Sequence, residues 1–147
     1  MKHMKHIKPI LYGTSEYNAT LALRNKVMRL PLGLDIYQED FSSEKDATIL
    51  GMFDGDTLLG VGVMSHHETS CKVEYLCIDS ALQSCGIGGQ LLDQLEQIAK
   101  QQGATKITMD ARVSAQPFYA RHHYHPVGDV FFLDYAPVEH IVMEKTL

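Results

Sequence analysis

The sequence has few of the features that mark several functional classes. Its 147 residues include three cysteines, too few and too oddly numbered for a disulfide framework, and none forms the CxxC pair typical of a zinc ribbon. Lysine and arginine number 13 against 18 aspartates and glutamates, a net charge of −5, whereas a domain that holds nucleic acid through its phosphates is expected to be basic. No apolar run is long enough to span a membrane, and no apolar segment follows the polar N-terminus as a secretion leader requires. We therefore expect no nucleic-acid or membrane partner and a cytoplasmic location.

The remaining composition is typical of one folded α+β domain covering residues 1–147. Hydrophobic residues make up 45% of the chain, and there is no internal repeat or linker-like run. Apolar residues at helical spacing predict a first helix over residues 17–30, with Asn18 as its N-cap and Pro31 as its stop. The other predicted elements are strands over 47–53, 57–64, 72–78, 106–111, 127–133 and 138–144, a long helix from Ile87 to near Gly103, and a short helix containing Phe118 and Tyr119. This order predicts a sheet of mostly antiparallel strands with helices packed on its faces.

The most informative segment joins strand 72–78 to the long helix and contains Gly86, Gly88 and Gly89. Glycine lets the backbone approach a ligand closely, and the free amides at the start of a helix favour an anion such as a pyrophosphate. The same glycines are also compatible with a tight strand–helix connection that binds nothing. No Lys-Ser/Thr pair follows them, which excludes a Walker loop, and their GxGG spacing fits a dinucleotide fingerprint poorly.

Two motifs of the chain are Gln83-Ser84-Cys85-Gly86-Ile87-Gly88 and Ala115-x-x-Phe118-Tyr119-x-x-x-His123-Tyr124. The first is similar to the Gln/Arg-x-x-Gly-x-Gly/Ala motif of the GNAT superfamily of N-acetyltransferases. The second resembles the Ala-x-x-Phe-Tyr-x-x-x-Gly-Phe pattern of the same family. The tail Phe132-Leu133-Asp134 … Glu139-His140-Ile141-Val142-Met143 looks like the small ElaA-like branch. The resemblance implies a mixed, mostly antiparallel central sheet of six to seven strands flanked by about four helices. It also implies an N-acetyltransferase that moves an acetyl group from acetyl-CoA to a primary amine.

The resemblance implies a cofactor site along one strand and the glycine turn. The strand backbone at Leu76 and Ile78 would pair with the pantetheine arm, and the amides of residues 83–89 would hold the pyrophosphate. The implied cofactor-binding residues are Leu76, Cys77, Ile78, Gln83, Ser84, Cys85, Gly86, Ile87, Gly88, Gly89 and Arg112. Ser84 and Cys85 are neutral where relatives often carry basic residues. Arg112, where the family usually has Asn or Gln, either supplies the missing cation or is an ordinary surface arginine.

Two residues are candidates for the chemistry. By the resemblance, Tyr119 lies near the thioester sulfur and protonates the departing thiolate; a core aromatic packed on Phe118 is the alternative. An attacking amine must be neutral, yet a lysine-like amine has a pKa of about 10.4, so a general base lowers the cost of attack. Glu74 is the candidate base because strand alternation puts it on one face with Leu76 and Ile78. A solvated carboxylate at a sheet edge is the alternative interpretation of Glu74.

Arg29 and His140 are candidates for binding the acceptor. Arg24 and Arg29 do not share a helix face, so at most one is expected to face the acceptor, where it would suit a carboxylate. By the ElaA-like resemblance, His140 lines the acceptor pocket or assists proton transfer, with a packed structural histidine as the alternative. The histidines at 122, 123 and 125 lack a fixed ligand spacing, so no metal is expected.

Three classes of function therefore stay open at this point. The first is acetyl transfer to a small-molecule or peptide amine, with the negative net charge favouring a cationic acceptor. The second is a non-catalytic acyl-CoA-binding or regulatory domain of the same fold. The third is a metal- or nucleotide-binding module. The closing strands could also pair in a homodimer.

Overall fold

A computed structural model describes residues 5–133 and 136–147, so Asp134 of the tail motif lies outside the described residues. In chain order the elements are β1 (Lys5–Pro9), α1 (Ser15–Arg24), β2 (Thr48–Asp54), β3 (Thr57–His67), β4 (Ser70–Ile78), α2 (Ile87–Gln101), β5 (Lys106–Arg112), α3 (Gln116–Arg121), β6 (His125–Leu133) and β7 (Ala136–Thr146). Within the described residues, seven strands form one sheet in the order β1-β2-β3-β4-β5-β7-β6, in which β4 and β5 are the one parallel pair of neighbours. The predicted α+β fold with a mixed, mostly antiparallel sheet is confirmed. Within the described ranges, no helix combines the length and the apolar character needed to cross a bilayer.

The N-terminal region differs from the sequence prediction. Strand β1 was not predicted, because its polar and basic residues give no alternation; pairing with β2 supplies its backbone hydrogen bonds instead. The first helix begins earlier than predicted, since the Thr14 side chain accepts a hydrogen bond from the Tyr17 amide at 3.2 Å and caps the helix in place of Asn18. It also ends earlier: after Arg24 the chain continues as a π-helical turn over Asn25–Arg29.

Helices cover both faces of the sheet, and we call these the α1 face and the α2 face. Leu91, Leu92 and Leu95 of α2 are fully buried in the core of the α2 face, which also contains Tyr119 of α3. Gly62 lets α2 approach the sheet closely, since a Cβ there would lie 2.9 Å from Leu95 Cδ1. The core of the α1 face is separate and includes Leu23 of α1.

Strands β4 and β5 diverge at one end. Their parallel pairing runs from Ser70↔Lys106 to Val73↔Met109 and stops there. Beyond it, β4 continues to pair only with β3, and β5 continues to pair only with β7. We call the opening between the two strand ends the wedge. The wedge is a gap in the middle of the sheet that is open to both of its faces.

Candidate active site

A cleft of about 1590 Å³ occupies the wedge and extends along the N-terminus of α2. Apart from Cys85 and Arg29, every site residue predicted from the sequence lines this cleft. Cys85 is exposed outside it. The structure therefore brings the glycine turn, the end of β4, the end of β5 and α3 together around one space.

The glycine turn forms a cradle of backbone amides at one end of the cleft. Ser84 and Gly86 adopt left-handed conformations, with φ of +75° and +82°, which turns successive amides toward one side. The first helical bond of α2 runs from the Gln90 amide to the Gly86 carbonyl at 3.1 Å. Within the described residues, the amides of Ile87 and the next two glycines have no acceptor, as expected at a helix N-terminus. This donor set fits the pyrophosphate of a CoA molecule.

Helix α3 packs directly on the first turn of α2. A Cβ at Gly88 would lie 3.3 Å from the Phe118 ring, and one at Gly89 would lie 2.9 Å from the His122 ring, so larger residues would push α3 away. Close packing here brings Tyr119, which follows Phe118, to the wedge. The glycines thus position an aromatic side chain as well as opening the amide cradle.

Tyr119 is buried but lines the cleft. The side chain is 8% exposed and packs edge-on against Phe118 and Tyr124, with ring centroids 5.1 and 5.9 Å away. Among residues 5–133 and 136–147, no group accepts a hydrogen bond from its hydroxyl. Burial raises the pKa of Tyr119 to about 12, so the phenol holds its proton at neutral pH. It is therefore a proton donor with no competing acceptor nearby.

Glu74 sits on a β-bulge and faces the opposite way from its prediction. The register between β3 and β4 shifts so that Glu74 has no partner on β3. Leu76 and Ile78 pack on the α2 face, whereas Glu74 accepts a hydrogen bond from Ser65 Oγ at 2.9 Å and lies 4.0 Å from the Lys72 ammonium. The expected shared face is wrong because the extra residue breaks the alternation of the strand. Glu74 still lines the cleft, from the α1 face.

Arg112 and His140 are opposite each other on β5 and β7 and share the α1 face, because the preceding Ala111 packs on the α2 face. Arg112 donates to the Met28 carbonyl at 3.3 Å, on the other face of the sheet from the amide cradle. This placement does not favour the expected contact with the phosphates. His140 is 5% exposed, and its Nδ1 lies 2.7 Å from the Val138 carbonyl. Since a carbonyl only accepts, Nδ1 carries the hydrogen of this bond, and in the neutral form of the ring the lone pair lies on Nε2.

Arg29, the expected ligand of an acceptor carboxylate, does not line the cleft. It is buried, with Nε 2.7 Å from Glu39 and Nη2 2.8 Å from the Tyr75 hydroxyl. Arg24 is likewise buried and paired with Glu44 at 2.8 Å. Both charges are compensated within the chain. Sequence reasoning missed Tyr75, which lines the cleft with its ring 4.7 Å from the Arg24 guanidinium, because contacts between residues so far apart leave no local pattern.

Two further cleft residues were not predicted. Arg121 and His122, at the end of α3, line the cleft beside the first turn of α2, and the His122 ring lies 4.8 Å from the Phe118 ring. His123 takes the place of the glycine in the family pattern and adopts a φ of +73°.

No cluster of histidine, cysteine, aspartate or glutamate in the described part of the chain could hold a metal ion.

The cleft and its motifs agree with a comparison against known families. A family model described as the acetyltransferase (GNAT) domain matches residues 29–147. The chain belongs to this family. Membership in the GNAT family makes the protein an N-acetyltransferase that uses acetyl-CoA as its co-substrate, and it makes the acceptor an amine in general terms.

Individual relatives show the same relationship. The N-acetyltransferase YjcF of Bacillus subtilis, itself uncharacterized, is 30% identical over 102 residues, which is 69% of this chain and 72% of YjcF. A Lactobacillus plantarum protein described as an N-acetyltransferase superposes with a TM-score of 0.84 at 21% identity, covering 97% of this chain and 98% of that one. Escherichia coli ElaA gives a TM-score of 0.81 at 18% identity, covering 97% and 99%. These two structures share the GNAT fold of this protein.

Proposed function

We propose that the protein acetylates a primary amine by direct attack of the amine on the acetyl-CoA thioester, with Tyr119 as general acid and Glu74 as general base. One observation carries the proposal: a single cleft joins an amide cradle, an open strand edge and a buried protonated phenol. The acceptor is a small-molecule or peptide amine. It would enter from the α1 face, since the cradle and Tyr119 occupy the α2 side.

The donor would be held by backbone groups along the α2 side. Among the described residues, the pairing of β4 with β5 stops at Val73, so the backbone groups of Leu76 and Ile78 that face the wedge would pair with the amides of pantetheine. The α2 amides would then hold the pyrophosphate. Ser84 brings no charge to this end, but Arg121 lines the same cleft at the end of α3 and would supply it.

Tyr119 would complete the transfer as an acid. As the amine nitrogen bonds to the acetyl carbon, the carbon–sulfur bond breaks, and the sulfur leaves with the electron pair of that bond. Tyr119 would give its proton to this thiolate. Because burial raises its pKa to about 12, well above the usual value, the phenol carries its proton at neutral pH and can donate it.

Glu74 would take the proton that the amine loses. Its carboxylate is partly exposed to the cleft, and the Ser65 hydroxyl fixes one of its oxygens at 2.9 Å. His140 is a second candidate because its Nδ1 bond to Val138 leaves Nε2 as a proton acceptor on the same face. Glu74→Gln and His140→Gln separate the two. The variant that removes the acidic limb of the kcat/KM pH profile identifies the base.

Tyr119→Phe tests the acid. Loss of a general acid costs roughly 100-fold or more in kcat, while the affinity for CoA should change by less than about twofold because the ring remains. The measurements are CoA release with an amine acceptor and calorimetric titration with CoA. Tyr37→Phe is the matched control, since Tyr37 is 58% exposed and does not line the cleft.

The pH dependence sharpens this test. With the pKa of Tyr119 near 12, the wild-type kcat should not fall through loss of this proton between pH 7 and pH 10. Full activity in Tyr119→Phe would show that another group protonates the thiolate. Absence of CoA binding to the wild-type protein would contradict the whole proposal.

A further inference from the structure

We propose that Arg112 binds a carboxylate inside the wedge, so that the reaction takes a substrate carrying a carboxylate close to its reacting group. The inference rests on the proposed function and deepens it by naming a substrate class. Arg112 reaches the wedge from the last position of β5, on the α1 face where the acceptor would enter. Its cross-strand neighbour is His140, a candidate base.

The first observation is that the guanidinium is largely unused. It makes one hydrogen bond, from Nη2 to the Met28 carbonyl at 3.3 Å. Its Nε is buried, and no atom of the described residues accepts from it. A guanidinium carries five N–H donors, and leaving buried charged donors without acceptors is costly. Arg112 is therefore set up to receive an acceptor group from a ligand.

The second observation is that three cations of the α1 face each have a carboxylate, whereas Arg112 has none among the described residues. The ion pairs on the α1 face are Arg24–Glu44 at 2.8 Å, Arg29–Glu39 at 2.7 Å and Lys72–Asp110 at 3.0 Å, with Glu74 4.0 Å from Lys72. These three cations thus contact four carboxylates of the α1 face. Asp46 also lines the cleft, but no ion pair joins it to Arg112. Within the described residues Arg112 is left without a carboxylate and is available for one from a ligand.

The third observation is the chemistry of the surrounding wall. Val27 and Met28 line the cleft beside Arg112, and Tyr75 and Phe41 line it further along. An arginine in a partly apolar wall binds a planar carboxylate through two parallel hydrogen bonds, a geometry that a lysine does not provide. Arg112 is therefore better suited to a carboxylate than to a diffuse negative surface.

Two parts of the reacting pair could carry this carboxylate. If the acceptor carries it, the amine would meet Glu74 or His140 while its carboxylate meets Arg112, as in an amino acid. If the acyl chain carries it, the donor would be a dicarboxylic acyl-CoA whose free end passes through the wedge. Both cases require a carboxylate close to the thioester carbon. Matched substrates show whether the acceptor or the acyl chain carries it.

The test uses matched pairs with the full-length protein. The acceptor pairs are L-amino acids and their carboxamides, with acetyl-CoA as donor. The donor pair is succinyl-CoA and butyryl-CoA, with a carboxamide as acceptor. Each is measured as kcat/KM in the wild type, Arg112→Gln, Arg112→Lys and Lys100→Gln. Lys100→Gln removes the same charge from an exposed position near the far end of α2.

We expect the wild type to prefer the carboxylate member of one pair by about tenfold to 100-fold, the loss typical of a missing charge-assisted hydrogen bond. Arg112→Gln should reduce that preference to about one, Arg112→Lys should keep part of it, and Lys100→Gln should keep all of it. A preference in the acceptor pairs assigns the carboxylate to the acceptor, and a preference in the donor pair assigns it to the acyl chain.

Equal kcat/KM within both pairs, or a preference that survives in Arg112→Gln, overturns the proposal. A wild type that binds CoA and acetylates the carboxamides leaves the proposed function intact in that case. Should no panel member turn over, calorimetric titration of the CoA complex with the acids and their amides gives the same comparison. Binding of both members with equal affinity, or of neither, also overturns the proposal. Misfolding is checked by the CoA affinity of each variant, which Arg112→Gln should leave unchanged.

Discussion

The two faces of the sheet around the wedge are built in different ways. On the α2 face, apolar side chains and glycines bring helices close to the strands, and the groups aimed at the ligand are backbone amides. The α1 face has its own apolar core but also buries charged side chains, and Arg24 at 0% exposure contacts Glu44, Thr20 and the ring of Tyr75. The hydrogen-bond donors of the α2 face are backbone amides, which most side chains do not alter. The chemistry of the α1 face depends on the identity of each side chain.

This difference separates two tasks of an acetyltransferase. Members of the GNAT family share a CoA donor, which we propose is held in this protein by backbone amides. The acceptor changes from one enzyme to another, and a wall of paired charges can change its chemistry with one substitution. Breaking each face in turn should therefore give different kinds of loss.

The largest effect is expected on the α1 face from Glu44→Gln. Glu44 accepts from Arg24 at 2.8 and 2.9 Å and from the Tyr17 hydroxyl at 2.8 Å, with only 6% of its surface exposed. The substitution leaves the Arg24 charge buried without a counter-ion, which costs about 3–5 kcal/mol. The free energy of unfolding from urea titration measures the loss.

Two variants control for this experiment. Glu16→Gln breaks the exposed pair with Lys8 and should cost less than about 1 kcal/mol. The double substitution Arg24→Met with Glu44→Leu removes both charges and should recover most of the stability that Glu44→Gln loses. If Glu44→Gln lowers the free energy of unfolding by less than about 1 kcal/mol, the Arg24–Glu44 pair contributes no more than an exposed salt bridge does.

An intermediate effect is expected on the α2 face from Gly62→Ala. The new Cβ would lie 2.9 Å from Leu95 Cδ1, and Leu95 is fully buried in α2. Overpacking of this kind costs about 1–3 kcal/mol, because the side chain or the helix must shift. Urea titration again measures the loss. Adding Leu95→Val makes room, so the double variant should lose less than the sum of the two single variants; additive losses would show that α2 does not rest on Gly62.

How much of this could be predicted from the sequence depends on how local each feature is. The cradle at Gly86 and the position of Tyr119 lie within short motifs, and both the strand–turn–helix and the short helix occur where the sequence places them. Strand alternation, by contrast, fails at Glu74, because no residue type signals a bulge in β4. The prediction for Arg29 fails for a related reason, since its partner Tyr75 is 46 positions away.

Long-range pairing explains the remaining differences. Strand β1 has no apolar alternation and exists through its ladder with β2, so its own residues could not predict it. The π-helical turn after α1 is stabilised by a contact outside itself, the hydrogen bond from the Ile36 amide to Asn25 Oδ1 at 2.9 Å. Local sequence patterns therefore predict the α2 face of this molecule better than the α1 face.

The smallest effect is expected at the N-terminus of α2, where the pyrophosphate of CoA would bind. Here the contributions of backbone amides and of a side chain to the affinity for CoA can be compared within one site. If the α2 amides supply most of the affinity for CoA, Arg121→Gln should weaken CoA binding by only about twofold to fivefold, because Arg121 is exposed and its charge is screened by water. Calorimetric titration at low salt and at about 0.5 M salt measures this. The difference between wild type and variant should shrink at the higher salt, where the screening length is only a few ångströms.

Arg121→Lys is the matched variant, since it keeps the charge and loses the planar fork. It should bind CoA as tightly as the wild type if Arg121 acts as a diffuse charge, and as weakly as Arg121→Gln if it grips a phosphate through two directed bonds. A loss of 100-fold or more in Arg121→Gln would reverse the comparison for this end of the cleft. A side chain, and not the backbone, would then supply most of the affinity for CoA on the α2 side. Arg121 of α3 would take the role of the basic residues that relatives often carry at the positions of Ser84 and Cys85.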